Sequence, residues 1–174
     1  MPKIIENVRE QLLTEAKKQI AERGYANTTI RSVAKECGVG VGTVYNYFES
    51  KEMLVATFVF ESWKAYLSSM ARLPSDEPRV LLKGIYDLLI AFSAENKSLF
   101  SDLDAAKLVA TGSSSRHKML RSQIASFIVP LCKINRLDDP EFAAEFISES
   151  IICWSMENED FETVYPLIEK IIKK

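Results

Sequence analysis

Residues 24–54 read GYANTTIRSVAKECGVGVGTVYNYFESKEML, and they contain the clearest structural pattern in the sequence. A short run that is apolar at helical spacing begins at Ile30 and ends before Gly38. A second short run follows, with Val44 and Phe48 four residues apart on one helical face. Two short helices joined by a turn that contains glycine are typical of a helix-turn-helix, because the tight turn needs a backbone conformation that glycine adopts most readily.

The composition is that of a globular protein, since 47% of the 174 residues are hydrophobic and 26% are charged. These fractions exclude a disordered or low-complexity chain. No apolar run approaches the ~20 residues that a membrane-spanning helix needs, and no signal-peptide pattern is present, so we expect a cytoplasmic protein without a membrane partner. The three cysteines form no CxxC pair, and we expect neither a metal nor a cofactor.

The rest of the chain follows helical periodicity, and no stretch alternates with period two for long enough to predict a strand. The predicted fold class is therefore all-α, with about nine helices. Pro74 and Pro78 bound the clearest break in the pattern. Besides the two short helices, we predict helices over residues 5–22, 50–72, 78–94, 97–110, 116–134, 140–155 and 161–172, with a flexible connection over 111–115.

We predict two domains. Residues 1–50 form a three-helix domain that contains the helix-turn-helix, at about residues 28–47. Residues 51–174 form a second helical domain, and the helix over 50–72 connects the two. The net charge is +1 over residues 1–50 and −3 over the remainder. This balance indicates no strong non-specific attraction to nucleic acid, so any contact with DNA must come from a local surface.

Residues 24–54 resemble the DNA-binding signature of the TetR/AcrR family of bacterial transcriptional regulators, without a gap. The sequence departs from that signature at Gly40 and Val41, where the family often has polar residues. The resemblance implies a homodimeric, ligand-responsive repressor that binds a pseudo-palindromic, double-stranded DNA operator. It also implies that the second domain binds the ligand and forms the dimer. The matching elements are Gly24-Tyr25, Thr28-Thr29, Ile30-Arg31, Val33-Ala34, Gly38-Val39, Gly42-Thr43-Val44-Tyr45, Tyr47-Phe48, Ser50-Lys51-Glu52 and Leu54.

The side chains of the second short helix that lie outside the predicted core suit DNA recognition. Methyl groups can contact thymine, hydroxyl and amide groups can contact base edges, and tyrosine hydroxyls can donate to phosphates. Arg31 and Lys51 each lie in the first turn of a helix, where a cation opposes the helix dipole, and a bound phosphate would account for this placement. Half-exposed packing and solvated surface charge are the alternatives. The predicted DNA-binding residues are Thr29, Arg31, Val41, Gly42, Thr43, Tyr45, Asn46, Tyr47 and Lys51.

The family resemblance implies a ligand pocket in the second domain. The large apolar residues there favour a small apolar or aromatic ligand, although most such residues are expected to pack in the core. The pocket candidates are Trp63, Tyr66, Met70, Tyr86, Phe92, Phe100, Met119 and Phe127.

The last two predicted helices are apolar over a wider arc than contact with a single core requires. We therefore predict a two-fold dimer in which these helices form a four-helix bundle, in line with the resemblance. The predicted interface residues are Phe146, Ile147, Ile151, Trp154, Val164, Tyr165, Ile168 and Ile172.

The sequence contains no catalytic motif. The single histidine, His117, has no second histidine at a metal-binding spacing, and we expect it to be solvated. We therefore predict that the chain is not an enzyme, and a small helical enzyme is the weakest alternative. The main alternative is an all-α interaction or adaptor protein whose helix-turn-helix no longer binds DNA. A salt-dependent DNA-binding assay separates the two, because phosphate contacts weaken as the salt concentration rises.

Overall fold

The computed structural model describes residues 7–100 and 113–173 of the chain. These residues form nine helices and no strand, which confirms the predicted all-α class. Residues 101–110 of the sixth predicted helix, and the start of the connection at 111–115, lie outside the described residues. The helices are α1 (Val8–Asn27), α2 (Ile30–Glu36), α3 (Val41–Tyr47), α4 (Lys51–Met70), α5 (Pro78–Glu95), α6 (Lys97–Phe100), α7 (Ser113–Ile134), α8 (Pro140–Met156) and α9 (Phe161–Ile172).

The described residues divide into two compact units. The first unit comprises residues 7–62 and 96–100, so it holds α1, α2, α3, the first part of α4, and α6. The second unit comprises residues 63–95 and 113–173, which hold the rest of α4 with α5, α7, α8 and α9. None of the described helices is long and apolar enough to cross a membrane.

One face of each helix of the first unit packs into a common core. Leu12 and Ala16 of α1 are fully buried, and Val33 of α2 and Val44 of α3 belong to the same cluster. The backbone of α1 leaves the helical conformation at Gly24, whose φ is +83°. The sequence predicts a helix stop at this glycine, and the residues beyond it turn toward the start of α2.

The core of the second unit lies between α5, α7, α8 and α9. Leu82 of α5, Ile128 of α7 and Ile147 of α8 are fully buried. Tyr86 is also buried, and its hydroxyl donates to the carbonyl oxygen of Glu159 at 2.6 Å. This hydrogen bond ties α5 to the loop that leads into α9, and it satisfies the one polar atom of a core aromatic.

Candidate nucleic-acid interface

The turn between α2 and α3 is set by Gly38, whose φ is +67°. Its amide donates to the Lys35 carbonyl at 3.1 Å, and the next amide, of Val39, donates to the Ala34 carbonyl at 3.0 Å. This pair of bonds is a Schellman motif, which ends α2 and satisfies its last carbonyl groups. The predicted role of Gly38 in the turn is therefore confirmed, and α3 begins three residues later, at Val41.

The start of α2 is fixed by a capping box. Thr29 Oγ1 accepts from the Ser32 amide at 3.0 Å, and Ser32 Oγ accepts from the Thr29 amide at 3.0 Å. Ser32 Oγ also donates to Gln19 Oε1 at 2.7 Å, and Gln19 of α1 is 2% exposed. Sequence analysis missed this buried glutamine as a positioning residue, because a single polar residue beside an apolar stripe carries no periodic signal.

α3 has one face in the core and one face in solvent. Val44 and Phe48 are 0% and 4% exposed, as their spacing predicts. Tyr45 and Tyr47 are 53% and 48% exposed. Of the other predicted DNA-binding residues, the structure leaves Thr29, Arg31, Gly42 and Asn46 exposed, and Val41 and Thr43 half-buried. The outer face of the helix-turn-helix thus carries hydroxyl, amide, methyl and guanidinium groups together.

The two cations predicted to bind phosphate have different surroundings. Arg31 is exposed and has no hydrogen-bond or ion-pair partner among the residues that the structure describes. Lys51 Nζ donates to the carbonyl oxygen of Tyr25 at 2.5 Å and lies 3.6 Å from the centroid of the Tyr25 ring. The Tyr25 hydroxyl donates to Glu52 Oε1 at 3.0 Å. The pKa of the Glu52 carboxyl is lowered by its hydrogen bond to its own backbone amide and then by the Ser50 hydroxyl.

Three of the predicted pocket residues meet in the second unit. The ring of Phe92 meets those of Trp63 and Tyr66 edge to face, with centroids 5.1 and 5.4 Å apart. Trp63 Nε1 donates to Gln123 Oε1 at 2.8 Å, and the Tyr66 hydroxyl donates to Glu95 Oε2 at 2.8 Å. Burial, followed by the Glu95 carboxylate, raises the pKa of Tyr66 to about 12.

The other five pocket candidates are dispersed. Met70 and Tyr86 are each 1% exposed in the core of the second unit, Phe127 is half-buried, and Met119 is 46% exposed. Phe100 belongs to the first unit. A surface groove of about 420 Å³ lies elsewhere in the second unit, and none of the eight candidates lines it; its lining is Leu137, Asp138, Asp139, Phe142, Ala143, Lys170 and Ile171.

The predicted interface residues fall on two different faces. Phe146 and Trp154 are 52% and 45% exposed. The remaining six are covered by their own chain, at no more than 5% exposure: Ile147, Ile151, Val164, Tyr165, Ile168 and Ile172. The prediction left out two exposed residues, Met156 on α8 and Leu167 on α9.

His117 corrects one expectation. It is paired rather than simply solvated, because its Nε2 lies 2.8 Å from the Glu149 carboxylate. Arg121 completes the contact between α7 and α8, with nitrogen atoms 3.4 Å from Glu145 and 3.6 Å from Glu149. Among the described residues, no group of three histidine, cysteine or acidic side chains is arranged to hold a metal ion. These charges therefore serve to join the two helices.

Comparison with known proteins finds similarity to bacterial regulators. Residues 12–57 match the family model described as "Bacterial regulatory proteins, tetR family". The chain is 41% identical over 51 residues to the HTH-type transcriptional regulator HbdR of Aromatoleum sp. (strain CIB), which covers 29% of this chain and 22% of that relative. It is 28% identical over 103 residues to the HTH-type transcriptional regulator SAB2452 of Staphylococcus aureus (strain bovine RF122 / ET3-1), covering 58% of this chain and 55% of the relative. The matches thus span about half or less of these curated relatives.

The fold is also found in a solved structure of the transcriptional regulator FadR from Bacillus subtilis in complex with stearoyl-CoA. The TM-score is 0.55 at 21% identity, over 94% of this chain and 95% of that chain. At this identity the likeness shows the shared fold. The helix-turn-helix geometry, the family model and the related regulators agree that residues 12–57 match the TetR family of bacterial regulatory proteins.

Proposed function

We propose that this chain is a transcriptional regulator that binds double-stranded DNA through the outer face of α3 and the start of α2. The observation that carries the proposal is the pair Tyr45 and Tyr47, which stand about half exposed on a seven-residue helix whose Val44 is fully buried. Large aromatic residues that are half exposed on so short a helix contribute little to the core. They are suited to contact a partner surface.

Each group on this face has a chemical counterpart on DNA. The tyrosine hydroxyls can donate to phosphate oxygens, which fixes the position of α3 without reading sequence. Asn46 can pair with an adenine edge, and the methyl groups of Val41 and Thr43 can contact thymine. Arg31 can bind a phosphate or a guanine edge. Sequence preference is therefore expected to come from Val41, Thr43 and Asn46.

The test is equilibrium binding of a labelled DNA fragment from upstream of the protein's own gene, measured by fluorescence anisotropy at several salt concentrations. We expect the affinity to fall as salt rises. Thr43→Ala should change the preference among DNA sequences, by about 1–3 kcal/mol for each base contact disturbed. Ile134→Ala, which alters an exposed residue of the second unit, is the control. Absence of binding at low salt would favour the adaptor alternative.

We also propose that the protein acts as a homodimer through the outer faces of α8 and α9. The support is a set of exposed apolar residues on these two helices, each at least 45% exposed: Phe142, Phe146, Trp154, Met156 and Leu167. Several large apolar residues exposed on two neighbouring helices are typical of an association site. Two subunits would bring two copies of α3 to adjacent half-sites, about 34–36 Å apart on DNA.

We further propose that binding responds to a small apolar ligand in the second unit. The support is the cluster of Trp63, Tyr66 and Phe92, which combines aromatic rings with polar groups at its edge. The stearoyl-CoA complex of the FadR relative makes a long acyl chain the first ligand to test. The ligand would have to bind more tightly to one arrangement of the two α3 helices of the dimer than to another. A ligand with equal affinity for both arrangements would not change DNA binding.

The ligand test adds acyl-CoA of increasing chain length to the protein–DNA complex and follows release by anisotropy. We expect release by at least one chain length, and a changed ligand requirement in Trp63→Phe with ligand-free DNA binding preserved. If no acyl-CoA releases DNA from a binding-competent protein, the acyl ligand is wrong. If release is the same in Trp63→Phe as in the unaltered protein, the site is not at this cluster.

A further inference from the structure

We infer that Lys51 is a positioning residue, which holds the end of α1 against the start of α4 and thereby fixes α3, and that it is not a phosphate ligand. The expected effect of Lys51 on DNA binding rests on the proposed function. Its expected effect on the free protein does not. The inference concerns three side chains of the first unit, Tyr25, Lys51 and Glu52.

The position of Lys51 in the sequence is unfavourable for α4 itself. Lys51 is the first residue of that helix, where a cation opposes the helix dipole. The opposite condition holds at the end of α1. That end exposes carbonyl groups, and no basic residue follows Gly24 within α1. A cation supplied by another helix would therefore be stabilising there.

Side-chain donors meet the carbonyl groups that follow the bend of α1. Asn27 Nδ2 donates to the Arg23 carbonyl at 2.9 Å, and Thr28 Oγ1 donates to the Gly24 carbonyl at 3.0 Å. The next carbonyl, of Tyr25, accepts from Lys51 Nζ at 2.5 Å. Lys51 thus supplies a charged donor at the point where three consecutive carbonyls leave the helix.

The ring of Tyr25 is held by the same two residues of α4. The ammonium of Lys51 lies 3.6 Å from the ring centroid, within the range of a cation–π interaction. The Tyr25 hydroxyl donates to Glu52, and the whole side chain is 6% exposed. Lys51 therefore contacts the face of the Tyr25 ring, and Glu52 accepts a hydrogen bond from its hydroxyl.

This contact closes the part of the chain that contains the helix-turn-helix. Tyr25 and Lys51 are 26 residues apart, and both α2 and α3 lie between them. Fixing the two ends of the segment limits the orientations that α3 can adopt. The Tyr25 carbonyl takes one of the three N–H donors of the Lys51 ammonium, and the Tyr25 ring covers part of it. We expect the effect of Lys51 on DNA binding to come from the placement of α3.

The experiment compares Lys51→Met with the matched control Arg31→Gln, which removes an exposed cation at the start of α2. Each variant is titrated with the same DNA fragment at several salt concentrations. If Arg31 binds a phosphate and not a guanine edge, Arg31→Gln should lower the slope of log K against log salt by about 0.9, the value for one phosphate contact. Lys51→Met should keep the slope of the unaltered protein while its affinity falls, roughly three- to thirty-fold. Lys51→Arg keeps a donor and a cation over the ring, so it should restore most of the affinity.

Two further measurements decide the structural part of the inference. Tyr25→Leu should also weaken binding, and the double variant should lose less than the sum of the two single ones, because both remove the contact between the ammonium and the ring. Should Tyr25→Leu not fold, hydrogen exchange of the DNA-free protein is sufficient. In that experiment Lys51→Met should speed amide exchange in α3 relative to α8.

A slope that falls by about 0.9 in Lys51→Met would identify a phosphate ligand and overturn the inference. Unchanged exchange in α3 would overturn it as well. The exchange measurement uses no DNA, so a protein that fails to bind DNA refutes the proposed function while exchange still decides the role of Lys51.

Discussion

At the scale of single residues, Gly38 and Gly42 are the same amino acid placed for different reasons. Added Cβ atoms would meet nothing within 4 Å at either position. Gly38 has a φ of +67°, which disfavours any side chain. Gly42 lies in α3 with no positive φ and no close neighbour, so nothing in its own chain requires glycine there. We expect that Gly42 instead lets a partner approach the α3 backbone closely.

The two glycines give a paired prediction with opposite signs. Gly38→Ala should lower the free energy of unfolding by about 1–2 kcal/mol, because alanine strains the left-handed turn. Gly42→Ala should raise the free energy of unfolding by about 0.5–1 kcal/mol, because alanine favours helix, yet weaken DNA binding. Urea unfolding and DNA titration measure these effects. A Gly42→Ala protein that binds DNA as tightly as before would remove the reason given for that glycine.

Tyr66 gives a prediction for alkaline pH. Its pKa is raised from the ordinary tyrosine value of 10.0 to about 12 by burial and by Glu95, so folding favours the protonated phenol. Its contribution to stability is complete below pH 10 and is lost as the pH rises through about 12. Tyr66→Phe should therefore lose less stability over this interval than the unaltered protein. Urea titrations at fixed pH values test this, and an identical pH dependence would contradict it.

At the scale of helices, the capping box of α2 links local stability to the proposed DNA-binding face. Thr29→Ala removes the side chain that accepts from the Ser32 amide, and should lower the free energy of unfolding by about 1 kcal/mol. Thr29→Ser keeps an oxygen at the same place and is the matched control. Chemical unfolding of both variants provides the measurement, and equal stability of the two would show that the cap contributes nothing.

The two faces of α8 explain why the predicted interface was mixed. Its buried face includes Ser148 and Ser155, whose hydroxyls donate to carbonyls of their own helix at 2.7 and 2.9 Å. Its exposed face includes Phe142 and Phe146. The inner side thus combines serines with Ile147 and Ile151, while phenylalanines lie on the outer side. Hydrophobicity alone therefore does not distinguish the core side from the outer side.

At the scale of the whole molecule, the proposed dimer predicts that its disruption leaves the subunit folded. Phe146→Asp changes a side chain that is 52% exposed, so little core packing is lost. It should give a monomer with unchanged helical content and much weaker binding to a two-site operator, because one subunit contacts one half-site. Val80→Asp, at a 42% exposed position on α5, is the control and should remain dimeric. Sedimentation velocity provides the measurement, and a dimeric Phe146→Asp protein would contradict the interface.

The sequence by itself determined the features that depend on a few neighbouring residues. Val44 and Phe48 are inward and Tyr45 outward because a helix repeats every 3.6 residues, whatever surrounds it. Gly38 marks the turn because a positive φ is a property of one residue. The all-α class follows from the same local periodicity, summed along the chain.

Only the tertiary structure decided the partners of charged and polar side chains that are distant in sequence. Lys51 reaches Tyr25 across 26 residues, Ser32 reaches Gln19 across 13, and His117 reaches Glu149 across 32. These pairings depend on which faces of two helices meet, and that is set by the packing of the whole core. A cation at the start of a helix gives the same sequence pattern whether its partner is a phosphate or a carbonyl of another helix. The packing of α1 against the start of α4 made Tyr25 the partner of Lys51.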